Sequence, residues 1–374
     1  MKQSRVFKVG DPGAKLKMLQ QRSRRTWVVD NELWDDEIEQ APLQSRGWVF
    51  QERFLSSRIL HFVERQAAWE CHEISALEMF PKRVPPGMLP GPRNDIFDIL
   101  LSAKTPTNDN LMDFCRSWGN IIERYSLADL TFSQDKLVSF VGVAKAVEDI
   151  RNDTYLAGLW KSVSIYQLPW ARTRYDTVEN PLEASSGRAP SWSWLSADGE
   201  ILLPDVEKVR RHFASIVEFP NAISNGSSAI TASGSVLLKG RLLPIDSIEW
   251  DRDILSGYRI GGVMLKEGSS FSETHLDLEG TKEQVLKWEK SGIDLLPLYA
   301  TDKHMQCIVV TGIKAPSSML RGFRRVGACQ IVYRKLHIHH QGIEVGWEED
   351  PSTLFFPGEP SHNQLHPIAR SLIR

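Results

Sequence analysis

The stretch "PLQSRGWVFQERFLSSRILHFVERQAAWEC", Pro42–Cys71, concentrates tryptophan, phenylalanine, arginine and glutamate within one short segment. Its apolar period changes midway, and that change decides the fold class. From Arg46 the spacing of Trp48, Gln51–Glu52 and Leu55 suits one face of a short helix. "RILHFVERQAAWEC" then reads as two short strands around the polar turn Val63–Glu64–Arg65. A helix feeding a hairpin is not a βαβ unit, so a complete doubly wound sheet is not expected.

Working outward toward the N-terminus, residues 1–41 read as a charged extension containing Trp27 and the acidic run "WDDEIE". Such a run invites a magnesium–diphosphate site. No second acidic motif on a facing helix accompanies it, so a solvated charge run is the reading taken. On the other side, residues 81–110 read as a loop, because "PKRVPPGMLPGPRND" removes backbone donors and fixes the chain. "LMDFCRSWGNIIERYS" follows as the strongest helix, with Leu111, Phe114, Cys115, Trp118, Ile121, Ile122 and Tyr125 at helical spacing. A second helix begins near Ser133 as N-cap, with Asp135 in its first turn and an apolar face of Leu137, Phe140, Val141, Ala144, Val147 and Ile150. "YLAGLW" and "SIYQLPW" read as helical pieces, and "APSWSWLSADGEI" as extended. Beyond Pro190 the β-branched runs "SSAITASGSVLLKGRLLPI", "SGYRIGGVMLK", "HMQCIVVTGI" and "RRVGACQIVYRKLHI" predict antiparallel strands, interrupted by one charged helix, "TKEQVLKWEKSG". The expectation is an α+β protein. It has an extension over 1–41, a helix-rich body over 42–205 and a mainly antiparallel β-rich region over 206–374.

The chain has 374 residues and a net charge of −2, with 41% hydrophobic and 25% charged residues. That balance supplies no broad field for nucleic acid or anionic lipid. No run approaches a membrane span, and the first 26 residues lack the apolar core of a secretory signal, which together predict a cytoplasmic protein. Cys71, Cys115, Cys307 and Cys329 form no CxxC pair and read as packed, reduced thiols. The sequons at Asn152 and Asn225 are then chance matches.

The landmarks, taken in order, resemble a known family. "PLQSRGWVFQERFLSSRILHF" followed by "WEC" resembles the C-terminal part of the fungal heterokaryon incompatibility (HET) domain. "WGNIIERYSLADLTFSQDKLVSFVGVAKAV" resembles the Tyr-Ser, Leu-Thr and Asp-Lys-Leu segment of such proteins. "YLAGLW" and "APSWSWLSADG" match further landmarks, and "GRLLPI" and "GFRRVGACQI" echo the β-rich tail. The resemblance spans roughly residues 42–335. It departs from the family at the front: neither the Tyr-Cys-Trp-Gly segment nor the Trp-x-Asp-x-x-Cys-Ile-x-Gln segment of the Rossmann-like first half occurs. The resemblance therefore implies a chain without the larger part of that domain, and without the death-effector activity associated with the complete one.

No P-loop, GxGxxG, HExxH or GxSxG motif occurs, so no cofactor is expected. Three constellations remain. Arg46, Trp48, Gln51 and Glu52 could place a carboxylate beside an indole in a partly dry pocket, where it would act as an acid; the same residues could equally form a structural ion pair. Trp192 and Trp194 of "SWSW" would share one side of a strand, as either a core layer or the wall of an apolar pocket. His337 and His339 of "LHIHH" have the spacing of two metal ligands, with Glu344 nearby, but nothing completes the site and no metal is expected. Two functions fit. One is a cofactor-free cyclase or Diels–Alder-type enzyme of fungal secondary metabolism. It would fold an apolar terpenoid or polyketide-derived substrate against Trp48, Trp192 and Trp194, with Glu52 and Arg46 as catalytic groups. The other is a non-enzymatic recognition protein of the incompatibility system with a HET-family protein as partner.

Overall fold

The computed structural model describes residues 16–20, 26–30, 32–71, 73–85, 108–172, 188–219, 234–245, 247–250, 258–261, 271–276, 292–313, 321–332, 338–340, 343–345 and 370–373. Packing divides the chain into two compact units, Met1–Phe97 and Asp98–Arg374. The division falls at neither residue 41 nor residue 205, for reasons visible in each unit.

In the first unit β1 (Leu16–Gln20) and β2 (Thr26–Asp30) form an antiparallel hairpin. A one-turn helical segment, Asp35–Glu39, follows. Then come α1 (Gly47–Leu55), β3 (Arg58–Phe62), β4 (Ala67–Cys71) and β5 (Ser75–Leu77). β3, β4 and β5 pair in sequence order, all antiparallel, as the alternation in the opening stretch predicts. The supposed extension is part of this unit: Leu33, Trp34 and Ile38 of the acidic run's segment are buried with Ala68, Leu77 and Val84. A charge run was legible, but its Trp34 and Ile38 lie on the inner side of the turn and supply the core.

In the second unit α2 (Asn108–Ser126) and α3 (Asp135–Arg151) carry the predicted periodicity. The face of α3 is rotated from expectation. Lys136, Ser139, Phe140, Val143, Ala144 and Val147 are buried, whereas Ile150 is exposed. The cause is polar: the buried Tyr125 hydroxyl donates to the Lys136 carbonyl at 2.7 Å and lies 2.6 Å from the Ser139 hydroxyl. Those partners turn inward because a buried phenol needs them.

"YLAGLW" is a hairpin rather than a helix: β6 (Tyr155–Leu156) and β7 (Leu159–Trp160) flank Ala157 and Gly158, both with positive φ, at 41° and 102°. Two successive left-handed residues make the tight turn that strand twist favours. The short helix α4 (Ser164–Gln167) precedes Pro169 as expected. "SWSWLS" is not a strand but a turn closing into one 3₁₀ turn, Trp194–Ser196, with the Ser193 hydroxyl accepting from Leu195 N–H.

The rest of the described chain is mostly one large sheet. Its central path runs Arg211–His212, Ile293–Ala300, His304–Ile313, Arg321–Val332, Phe271–Leu276, Tyr258–Gly261 and Ser247–Trp250. Its pairs are antiparallel apart from the parallel contact of Arg321–Phe323 with Ser371–Ile373. The α+β expectation therefore holds, with the β region where the sequence places it. Body and sheet nevertheless share one unit. Arg325, 1% exposed on the central strand Arg321–Val332, donates to the carbonyls of Leu168 and Trp170 and stacks 3.6 Å above the Trp170 ring. The predicted helix "TKEQVLKWEKSG" and His337 lie outside the described residues, as do the side chain of His339 and most of the loop 81–110. No helix among the described residues is long and apolar enough to cross a membrane.

Candidate functional site

In the first unit a cluster of Arg53, Glu39, Glu70 and His61 points inward, while Trp48, Phe62 and Trp69 are exposed. α1 begins at Gly47 and carries Arg53 on its inner side. The Arg53 guanidinium reaches Glu39 with two N–H groups at 2.6 and 2.9 Å, Glu70 with two at 3.0 and 3.3 Å, and the Gln44 side-chain oxygen at 3.2 Å. Glu39 also accepts from the Trp34 indole N–H at 3.1 Å. His61 Nε2 sits 2.9 Å from Glu70, which is 2% exposed. A nitrogen facing a carboxylate must carry the proton, so Glu70 fixes the ring with Nδ1 as its remaining acceptor in the neutral form. Burial works against the Arg53 charge, but hydrogen bonds and charge from Glu39 and Glu70 outweigh it and hold the guanidinium's pKa above its ordinary value.

The opposite faces are solvated. Trp48, Glu52 and Leu55 do share a helical face, as the spacing predicts, but it is the outer one: Trp48 is 41% and Leu55 47% exposed, and Arg46 and Glu52 are exposed too. This corrects the expectation of a partly dry pocket around Glu52 and Arg46. Periodicity identifies a face without its direction, and Arg53 takes the inner side because Glu39 and Glu70 wait there. On the sheet, Leu60 and Trp69 are directly paired across β3 and β4, and both face outward with Phe62, which is 81% exposed. The alternation of "RILHF" and "AAWEC" carried this information. His61 and Glu70 share one face with Ala68, while Leu60, Phe62 and Trp69 share the other. The face that carries His61 and Glu70 is the buried one, while the solvated face carries Arg58 with Leu60, Phe62 and Trp69.

In the second unit Trp192 and Trp194 do not share a face. Trp194 is fully buried, packs edge-on against Phe140 at 5.1 Å and Tyr125 at 6.0 Å, and donates to the Gly158 carbonyl at 2.8 Å. Trp192 instead packs on Phe219, donates to the Gly234 carbonyl at 3.3 Å, and accepts from the Trp170 indole through its own carbonyl at 2.9 Å. Both indoles are tied into the fold by their N–H groups, the arrangement of core tryptophans. Beside Trp194, Lys136 and Arg188 are both buried and both donate to the Ala197 carbonyl, and Arg188 also pairs with Asp198 at 2.8 Å. Burial, helped by Arg188 and Arg172 and opposed by Asp198, lowers the Lys136 ammonium's pKa to about 7.

A third group was not legible in the sequence. Trp118, Tyr155 and Trp160 form one ring cluster, with centroids 5.0–6.0 Å apart. Gln167 joins it by accepting from the Trp160 backbone N–H at 2.8 Å. The indole nitrogens of Trp118 and Trp160, the Tyr155 hydroxyl and the Gln167 amide nitrogen are all buried without a hydrogen-bond partner. Each such group costs roughly 1–3 kcal/mol if nothing meets it. No cluster of three potential metal-binding side chains occurs among the described residues. No protein-family model, no curated protein and no solved structure matches the chain.

Proposed function

We propose that the protein is a recognition protein of the heterokaryon incompatibility system, which pairs with a HET-family protein through the outer face of the β3–β4–β5 sheet. The inversion of the first unit carries this reading. Arg53, Glu70 and His61 lie inside while Trp48, Leu60, Phe62 and Trp69 lie outside. Leaving a large apolar side chain in water forgoes about 1.5–3 kcal/mol of burial. Burying charge costs as well. The apolar part of that cost is recovered where a partner covers the outer face of the sheet. The internal ion pairs hold α1 against the sheet, so that the surface is presented in one fixed shape.

The enzymatic reading placed its catalytic groups on Glu52 and Arg46, which stand in solvent, so the outer face fits recognition better than catalysis. The test is to mix purified protein with a full-length HET-domain protein and measure association by sedimentation, for the parent and for Phe62→Ser combined with Trp69→Ser. The expected result is binding by the parent and a loss of about 30-fold or more in the variant, since buried aromatic anchors contribute about 2 kcal/mol or more each. Melting should be unchanged, because neither side chain is in the core. Equal binding by parent and variant, or no binding by the parent, would sink the proposal.

A further inference from the structure

We propose that the open edge of β3 pairs with β3 of a second copy of this chain, antiparallel and centred on Leu60, so that two three-stranded sheets become one. β3 is the terminal strand of the β3–β4–β5 sheet, and among the described residues no strand lies beyond it. The direction of its backbone groups follows from its pairing with β4. Val63 N–H donates to the Gln66 carbonyl at 3.2 Å, so by alternation the amides of His61 and Ile59 also face β4. Those of Arg58, Leu60 and Phe62 face the other way. Among the described residues nothing donates to them or accepts from them. Their side chains are exposed as well, Leu60 by 51% and Phe62 by 81%, so the edge is open to solvent.

Natural sheets blunt such edges with proline, lysine, a bulge or a covering loop. β3 has none of the first three: its sequence is RILHF, and its register with β4 is unbroken over all 5 residues. An edge left regular is a template for another strand, and this one is complementary to itself. With Leu60 on the two-fold axis, Leu60 faces Leu60, and each Arg58 faces Phe62 of the other copy. Every outward amide of the strand then finds a partner, and each facing pair exchanges two backbone hydrogen bonds. A shifted register moves at least one outward amide past the end of the strand. On the outer face each Arg58 guanidinium lies across from a phenyl ring, the arrangement a cation–π contact needs. Leu60 already lies opposite Trp69 in β4, so the face gains an unbroken apolar row, Trp69–Leu60–Leu60–Trp69. The arrangement is isologous and closes at two copies. It goes beyond the HET-protein reading and is measured on this chain alone, so either can fail without the other.

Sedimentation equilibrium of the full chain is the test. The parent should show a monomer–dimer equilibrium. Leu60→Lys sets two ammonium groups against each other on the axis and should raise the dissociation constant about five-fold or more. Its melting, measured where the parent is monomeric, should be unchanged, because Leu60 is exposed. The register is tested by exchange. Phe62→Arg sets arginine against arginine and should weaken the dimer similarly. Adding Arg58→Phe puts one arginine opposite one phenyl ring at each end again, and should return the dissociation constant to within about two-fold of the parent's. If Leu60→Lys melts early, the exchange variants decide alone. A parent that is monomeric up to its solubility limit, a dimer indifferent to Leu60→Lys, or a loss in Phe62→Arg that Arg58→Phe does not relieve would each overturn the proposal.

Discussion

Arg53 supplies most of the hydrogen bonds to two inward-facing carboxylates, Glu39 and Glu70, and, among the described residues, the only guanidinium shown between them. Arg53→Met should therefore cost about 3–5 kcal/mol in urea unfolding, the usual effect of stranding one half of a buried pair. Arg53→Lys should recover little, since an ammonium cannot donate in parallel to Glu39 and Glu70. Adding Glu70→Leu to Arg53→Met should restore part of the loss; additive losses would show that the two do not act as a pair. Lys136 sets a pH dependence. Its folded pKa of about 7 lies below the ordinary value of 10.5, so the unfolded chain takes up the proton first as pH falls. Stability from this group is greatest above 10.5, declines as pH falls toward 7, and is level below that. Lys136→Met should flatten the difference in stability measured between pH 7 and pH 10; an unchanged slope would place the titration elsewhere.

At the scale of elements, the helices α1, α2 and α3 and the β3–β4 hairpin were legible because each is long enough to display its period. What failed was direction and local closure. Trp48 and Leu55 marked a real face that turned outward, and Phe140 marked a real face whose neighbours Lys136 and Ser139 replaced Val141 and Ile150. In "YLAGLW" the two left-handed residues at Ala157 and Gly158 defeat a periodicity argument, since six residues cannot distinguish a helical turn from a tight hairpin. Gly158→Ala tests that turn. A Cβ there would lie 2.9 Å from both the Trp194 indole nitrogen and the Ser193 hydroxyl, on backbone at φ 102°. It should destabilise by at least about 1–2 kcal/mol, with a visible change in near-ultraviolet dichroism from Trp194. A neutral result would show that the hairpin and the Trp194 turn move apart freely. The orphaned donors of Trp118, Trp160 and Gln167 had no sequence signal. They come from elements that are distant along the chain or differ in type, and only their meeting creates the deficit.

Across the whole molecule, composition predicted the α+β class and the β-rich second half, but not where the units divide. Trp34 and Ile38 sit in a stretch whose charge hid two core residues, and Arg325 joins sheet to body from inside a strand with three arginines, of which the sequence does not say which turns inward. The strand Arg370–Ile373 has a different importance. It lies between Val236–Lys239, which it pairs antiparallel, and Arg321–Phe323, which it pairs parallel. It is therefore made on the ribosome after both of the strands it joins. Until it emerges, each of them keeps an unpaired row of backbone groups with apolar side chains beside it, a template for pairing with other chains. The joining of these two strands is thus fixed by the order of synthesis, and a nascent chain holds the open edge of Val236–Lys239 from the time that strand is made until Arg370–Ile373 follows it.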